Sequence, residues 1–156
     1  MSLKFNLIAT DGNARRGSVE TAHGTFQTPA FMNVATAAAI KGGISAYDLE
    51  DLHCQIMLSN TYHLHVRPGE GIVKELGGLQ GFTGWTHPTL TDSGGFQVYS
   101  LSKFRKIKEE GVTFQSHHDG SKHLFTPENV IQYESEIDSD IWTMLDVCIH
   151  AKDPSK

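Results

Sequence analysis

The sequence predicts an α/β fold built on a parallel sheet, amounting to about the first half of a (β/α)8 barrel preceded by an N-terminal antiparallel hairpin. Three observations carry that expectation. Past residue 28, short apolar strands alternate with helical stretches, the pattern of a parallel sheet. Polar residues gather where those strands end, at Asn60-Thr61, Asp92-Ser93 and Asp146. Open α/β sheets and closed barrels both bind ligands at that edge. Only four strands of this kind fit into 156 residues, whereas a closed barrel needs eight strands and typically about 250 residues.

The elements follow in order. Residues 1–28 form the N-terminal strands, with turn signals at Asp11-Gly12-Asn13 and His23-Gly24. Residues 29–156 hold the four βα units. Pro29 to Ala35 is a short apolar strand. Ser45 caps a helix, with Asp48 in the capping-box position and Leu49 and Leu52 on its apolar face. Gln55 to Asn60 is a buried strand, and Gly71 to Leu76 a helix stopped by Gly77-Gly78. Pro88 to Thr91 is a strand running into Asp92-Ser93-Gly94-Gly95. A charged hairpin is inserted at about residues 105–125, turning at Asp119-Gly120-Ser121. Thr126 caps a helix that has Pro127 in its first position and runs through Ile137. Asp140 to Leu145 is the last strand, ending at Asp146. After it, Asp153-Pro154-Ser155-Lys156 reads as a loop, so the chain is expected to stop in mid-fold.

Composition narrows the function classes. Hydrophobic residues make up 38% and charged residues 20%, as in a soluble globular protein, and no apolar run reaches the length of a membrane span. The N-terminus lacks the apolar core of a secretory signal. Two cysteines, Cys54 and Cys148, form no CxxC pair, which fits a reducing cytoplasm rather than a disulfide scaffold. A net charge of −5 supplies no general basic surface for nucleic acid.

Thr91 to Gln97 is the sharpest chemical feature. Asp92 sits where a strand ends, Gly94 and Gly95 let the backbone approach a ligand, and Phe96 offers a ring for stacking. An Asx-turn with glycines for tight geometry is the plainer reading. Asp146 can accept two N–H bonds from a purine edge, or cap a following helix. Cys148, two residues on, is read as a small apolar packer rather than a nucleophile. His63 and His65 would share a face in an extended segment and bind one metal there, but a turn follows at Arg67-Pro68-Gly69 and no further ligand cluster is evident. His117, His118 and His123 are read as exposed residues of the hairpin, and Arg105-Lys106-Ile107-Lys108 as a solvated turn offset by Glu109-Glu110.

Read together, several segments resemble one family. They are Thr10-Asp11-Gly12 with Ala14-Arg15, Thr28-Pro29 with Phe31-Met32, and Asn60 to Leu64 with Arg67-Pro68-Gly69. Gly77-Gly78-Leu79, Thr91 to Val98, Glu109 to Phe114, Asp119 to His123, and Ser139-Asp140-Ile141 leading to Asp146 complete the set. The chain resembles the tRNA-guanine transglycosylases, also called queuine/archaeosine tRNA-ribosyltransferases, and is nearest to the bacterial type. The resemblance spans nearly the whole chain. Asn33 to Ala38 departs from the family's usual Pro-Val-Gly-Thr-Gln.

The resemblance implies a TIM barrel with an N-terminal sheet and a zinc-binding insertion. It implies a cytoplasmic glycosyltransferase that exchanges guanine at the anticodon wobble position of tRNA for a 7-deazaguanine, preQ1 or queuine, in queuosine biosynthesis. An aspartate nucleophile attacks the ribose C1′, and a second aspartate passes protons to the departing and arriving bases. Asp92 matches that second, catalytic aspartate. Ser93, Gly94, Gly95 and Phe96 match the loop around the base, Asp146 the aspartate that reads the purine's N–H edge, and Cys148 a cysteine beside it. The family's nucleophile, its three cysteine and one histidine zinc ligands and much of its basic tRNA surface match nothing up to Lys156. No metal or cofactor is therefore expected within this chain, and the chain alone is expected to be incomplete and inactive. A homodimer or a complementary chain is the expected protein partner. The alternative is a non-catalytic transglycosylase-like subunit that associates through its unpaired strand edges.

Overall fold

A computed structural model describes residues 3–40, 42–102 and 104–148. The chain begins with β1 (Lys4–Asp11), β2 (Ala14–Thr21) and β3 (Gly24–Thr28), an antiparallel sheet in that order. The expected hairpin is thus a three-stranded meander. Asp11 pairs with Ala14 across a two-residue loop whose Gly12 takes φ 55°, the backbone such a tight turn demands. Val19 and Phe26 are cross-strand partners, and both are buried with Ile56. Leu90 and Ile141 pack against the same cluster.

The rest of the chain runs β4 (Asn33–Val34), α1 (Ala46–Asp51), β5 (Met57–Asn60), α2 (Thr61–Val66), α3 (Glu70–Glu75) and α4 (Gly78–Thr83). It continues with β6 (Thr89–Asp92), α5 (Gly95–Leu101), β7 (Arg105–Lys108), β8 (Gly111–Gln115), β9 (Lys122–Phe125), α6 (Pro127–Ile137) and β10 (Ile141–Trp142). Strands β4, β5, β6 and β10 form one parallel sheet in which each pairs with the next of the four. Because Ile56, Leu90 and Ile141 lie at or near the starts of their strands, the N-terminal sheet covers that end. Asp140 fastens it there, its carboxylate accepting from the backbone N–H groups of His23 and Thr89, each at 2.9 Å. The strand C-termini at Asn60 and Asp92 stand at the other end.

Local signals hold where they are strong. Ser45 and Asp48 close a capping box on α1, and Thr126 does the same for α6 with Asn129 in the reciprocal position. Leu49 is buried as expected, but Leu52 is exposed just past the end of α1. The insertion at 105–125 is a three-stranded sheet, β7-β8-β9, rather than a hairpin. The basic run expected as a turn is its strand β7, exposed along its whole length. The last parallel strand is confined to Ile141–Trp142, shorter than the expected Asp140 to Leu145. No helix of the described residues is long and apolar enough to cross a membrane.

Candidate functional site

Asp92 ends β6 in register with Asn60, the last residue of β5. Its Oδ2 accepts from Asn60 Nδ2 and, at 3.0 Å, from Gln97 Nε2. Its Oδ1 accepts from the backbone N–H of Thr61 at 3.3 Å. Those donors favour the carboxylate, but burial outweighs them and lifts the carboxyl above its ordinary value. The result is an acid held in one orientation with its proton affinity raised.

Ser93 then turns the chain. Its buried hydroxyl donates to Asp146 Oδ1 at 2.7 Å and accepts from Gly95 N at 3.2 Å. The two glycines have separate reasons. Gly94 takes φ 83°, and a Cβ there would meet Tyr62 N at 2.9 Å. A Cβ on Gly95 would collide with both the carbonyl oxygen and Oδ1 of Asp146. Only at glycine can the start of α5 pass this close to the segment that follows β10.

Asp146 is exposed, in the segment four residues past the end of β10, the strand that pairs with β6. Its Oδ2 accepts weakly from Cys148 Sγ at 3.5 Å. Burial first, and the Asp146 carboxylate second, push the Cys148 thiol up, so it is a poor nucleophile. Phe96 projects from the first turn of α5 and is 57% exposed, a large ring free to stack. The described geometry thus brings Asp92, Ser93, Gly94, Gly95, Phe96, Asp146 and Cys148 to one edge of the sheet. A cavity of about 100 Å³ opens beside it, lined by Gly95, Tyr99, Arg105, Asp146 and Cys148 among others.

The histidines do not form the extended pair that a shared metal would need. His63 and His65 lie on helix α2, where residues two apart point to different sides, so they do not share a face. His65 Nδ1 meets Glu70 Oε2 at 2.8 Å and its Nε2 meets His123 Nδ1 at 2.9 Å. His63 sits edge-on to the rings of Tyr62 and His117. His117 and His118 are exposed as expected, though His117 bonds the Tyr62 hydroxyl at 2.9 Å. His123 is half-buried, and burial together with His65 lowers its pKa. Among the described residues no group of three His, Cys, Asp or Glu side chains is placed to hold a metal ion.

Sequence reasoning missed Asn60 and Gln97 as the holders of Asp92. It also missed Glu134, fully buried on α6 and bonded to Thr91 and Thr143. The one signal for Glu134 was its place between Val130 and Ile137 on an otherwise apolar helical stripe.

Comparison with known proteins agrees with the segments quoted above. A family model described as queuine tRNA-ribosyltransferase matches residues 11–156. A queuine tRNA-ribosyltransferase of Clostridium perfringens is 57% identical over 146 residues, covering 94% of this chain and 38% of that protein. One of Lachnospira eligens is 57% identical over 148 residues, covering 95% of this chain and 39% of its own. One of Clostridium botulinum is 53% identical over 150 residues, covering 96% and 40%. The chain therefore spans about two fifths of the length of these curated relatives. With a match that runs from the first turn of the N-terminal sheet through Asp146 and beyond, the chain belongs to the queuine tRNA-ribosyltransferase family.

Proposed function

We propose that this chain carries the base-reading part of a tRNA-guanine transglycosylase, which exchanges guanine at the wobble position of tRNA for a 7-deazaguanine on the route to queuosine. The observation that carries the proposal is the Ser93–Asp146 bond, which ties the turn after β6 to the segment that follows the neighbouring parallel strand β10, with Asp92 and Asp146 on the two joined segments. Asp92, whose proton affinity is raised by burial, gives a proton to the guanine that leaves the ribose and takes one from the base that replaces it. Asp146, exposed and acceptor-only when ionised, receives the N1–H and 2-amino hydrogens of the base. Phe96 supplies a stacking face, Gly94 and Gly95 keep the backbone close, and Cys148 borders the base.

The larger protein supplies the remaining parts. The sheet order β4-β5-β6-β10 is the order a (β/α)8 barrel uses, so residues 29–156 are proposed as its first four units and residues 1–28 as the strands beneath. The carboxylate that attacks ribose C1′ is assigned to the further length of such a protein, as is the zinc of the family. The described residues of this chain do not fit that zinc, and no step is routed through it. On this account the 156 residues alone do not exchange bases. The enzyme works on tRNA in the cytoplasm, as a homodimer or with a complementary chain.

Incorporation of labelled guanine into tRNA tests the proposal. Residues 11–148 of this chain, grafted in place of the matching segment of the Clostridium perfringens relative, are expected to support turnover, and Asp92→Asn is expected to abolish it. A graft that turns over as fast with the Asp92→Asn substitution as without it would refute the role of Asp92. Robust turnover by the isolated chain would refute its incompleteness.

A further inference from the structure

Glu134 is an acid where the helix pattern calls for an apolar side chain. It lies on α6 between Val130 and Ile137, and all three are fully buried. Its Oε1 accepts from Thr91 Oγ1 at 3.1 Å and from the backbone N–H of Thr143 at 3.2 Å. The Thr91 hydroxyl also meets Ser139 Oγ at 2.6 Å. Glu134 Oε2 is buried without a hydrogen-bond partner among the described residues.

The two bonded positions are telling. Thr91 immediately precedes Asp92, and Thr143 lies three residues before Asp146. The ladder between β6 and β10 ends at the pair Trp142–Thr91. One carboxyl oxygen picks up the chain at the residue where the ladder stops. We infer that Glu134 is a positioning residue for the base site, clamping the segment that leads to Asp146 against the strand that carries Asp92 and so fixing the spacing of the two carboxylates. The inference rests on reading that pair as the groups that contact the base.

Burial also sets the charge of the clamp. It pushes the Glu134 carboxyl up to about 8, against the pull of Thr143 and Thr91 and with the Asp92 charge adding to the rise. Other titratable groups lie on the elements around α6: His63 and His65 on α2, and Glu70, Lys74 and Glu75 on α3. On α6 itself are Glu128, Tyr133 and Glu136, with Asp138 and Asp140 just beyond it. None of these adds to the rise; the charge that does is that of Asp92, at the end of β6. At neutral pH Glu134 is an uncharged acid that accepts through Oε1, as a glutamine would. Ionising it puts a second negative charge behind Asp92.

The test compares Glu134→Gln and Glu134→Leu with the parent chain, reading hydrogen exchange at the Thr143 amide and guanine affinity by calorimetry at about pH 6.5 and about pH 8.5. Glu134→Gln is expected to keep Thr143 protection and the affinity at the lower pH, and to lose less affinity than the parent at the higher. Glu134→Leu is expected to exchange Thr143 about tenfold faster and bind guanine about tenfold more weakly. Unchanged Thr143 protection in a folded Glu134→Leu chain would overturn the inference. Should the leucine variant not fold, loss of Thr143 protection in Glu134→Gln would overturn it equally. Absence of guanine binding by the parent, with Thr143 protection following Glu134 as stated, would support the clamp and sink the base-site reading it serves.

Discussion

Ser93 Oγ donates to Asp146 Oδ1 at 2.7 Å while the Gly95 backbone N–H reaches back to the same hydroxyl. One side chain thereby links the turn after β6 to the segment after β10. Removing it in Ser93→Ala frees the Asp146 carboxylate to swing. A hydrogen bond to a charged group at a part-exposed site is worth about 1–2 kcal/mol, so guanine affinity is expected to fall roughly fivefold to thirtyfold. Calorimetry on the two chains checks it.

Gly95 separates space from conformational freedom. A methyl group there runs into Asp146, and the contact is with backbone as well as side chain. Gly95→Ala is therefore expected to cost about 1–3 kcal/mol, lowering the melting temperature by roughly 2–12 °C. Thermal unfolding followed by circular dichroism measures this, and guanine affinity is expected to fall with it.

The buried acid gives stability a pH dependence of definite sign. Glu134 goes from an ordinary value of 4.5 to about 8 on folding, so the folded chain holds that proton more tightly. The stabilisation is whole below about pH 4.5 and is lost as pH rises through about 8. Asp92, also raised, acts in the same direction. Asp119 acts the other way, held at about 2 chiefly by the Ser121 hydroxyl, but its window lies below that of Glu134. The melting temperature is expected to drop between about pH 5 and 8 in the parent and to flatten in Glu134→Gln.

Thr126 tests a purely local device. Its hydroxyl accepts from Asn129 N while Asn129 Oδ1 accepts from Thr126 N. Thr126→Ala is expected to cost about 1 kcal/mol, or roughly 2–4 °C, with guanine affinity little changed. A melting curve and one titration suffice.

What the sequence made legible was what short-range chemistry decides. The turn at Gly12, the capping box at Ser45, the N-cap at Thr126 and the acid at the end of β6 all rest on residues within a few positions of one another. Helix α2 was not legible because it is buried on more than one side. Tyr62 belongs to one core cluster and Leu64 to another, so residues 62–65 alternate instead of showing one apolar helical face. Strand β7 was misread because all four of its residues are exposed and it gains its place only by pairing with β8. Glu134 was missed because its partners, Thr91 and Thr143, come from elements that the fold alone brings together.

The central claim is that Asp92 and Asp146 face one bound purine, and the affinity of the chain for guanine in parent and Asp146→Asn forms tests it most directly. The substitution keeps the shape and turns an acceptor toward the base into a donor, so binding is expected to weaken by about tenfold or more while the melting temperature holds. Equal guanine affinity in the two chains would contradict the account, because the purine would then be held somewhere other than at the rim that Ser93 ties together.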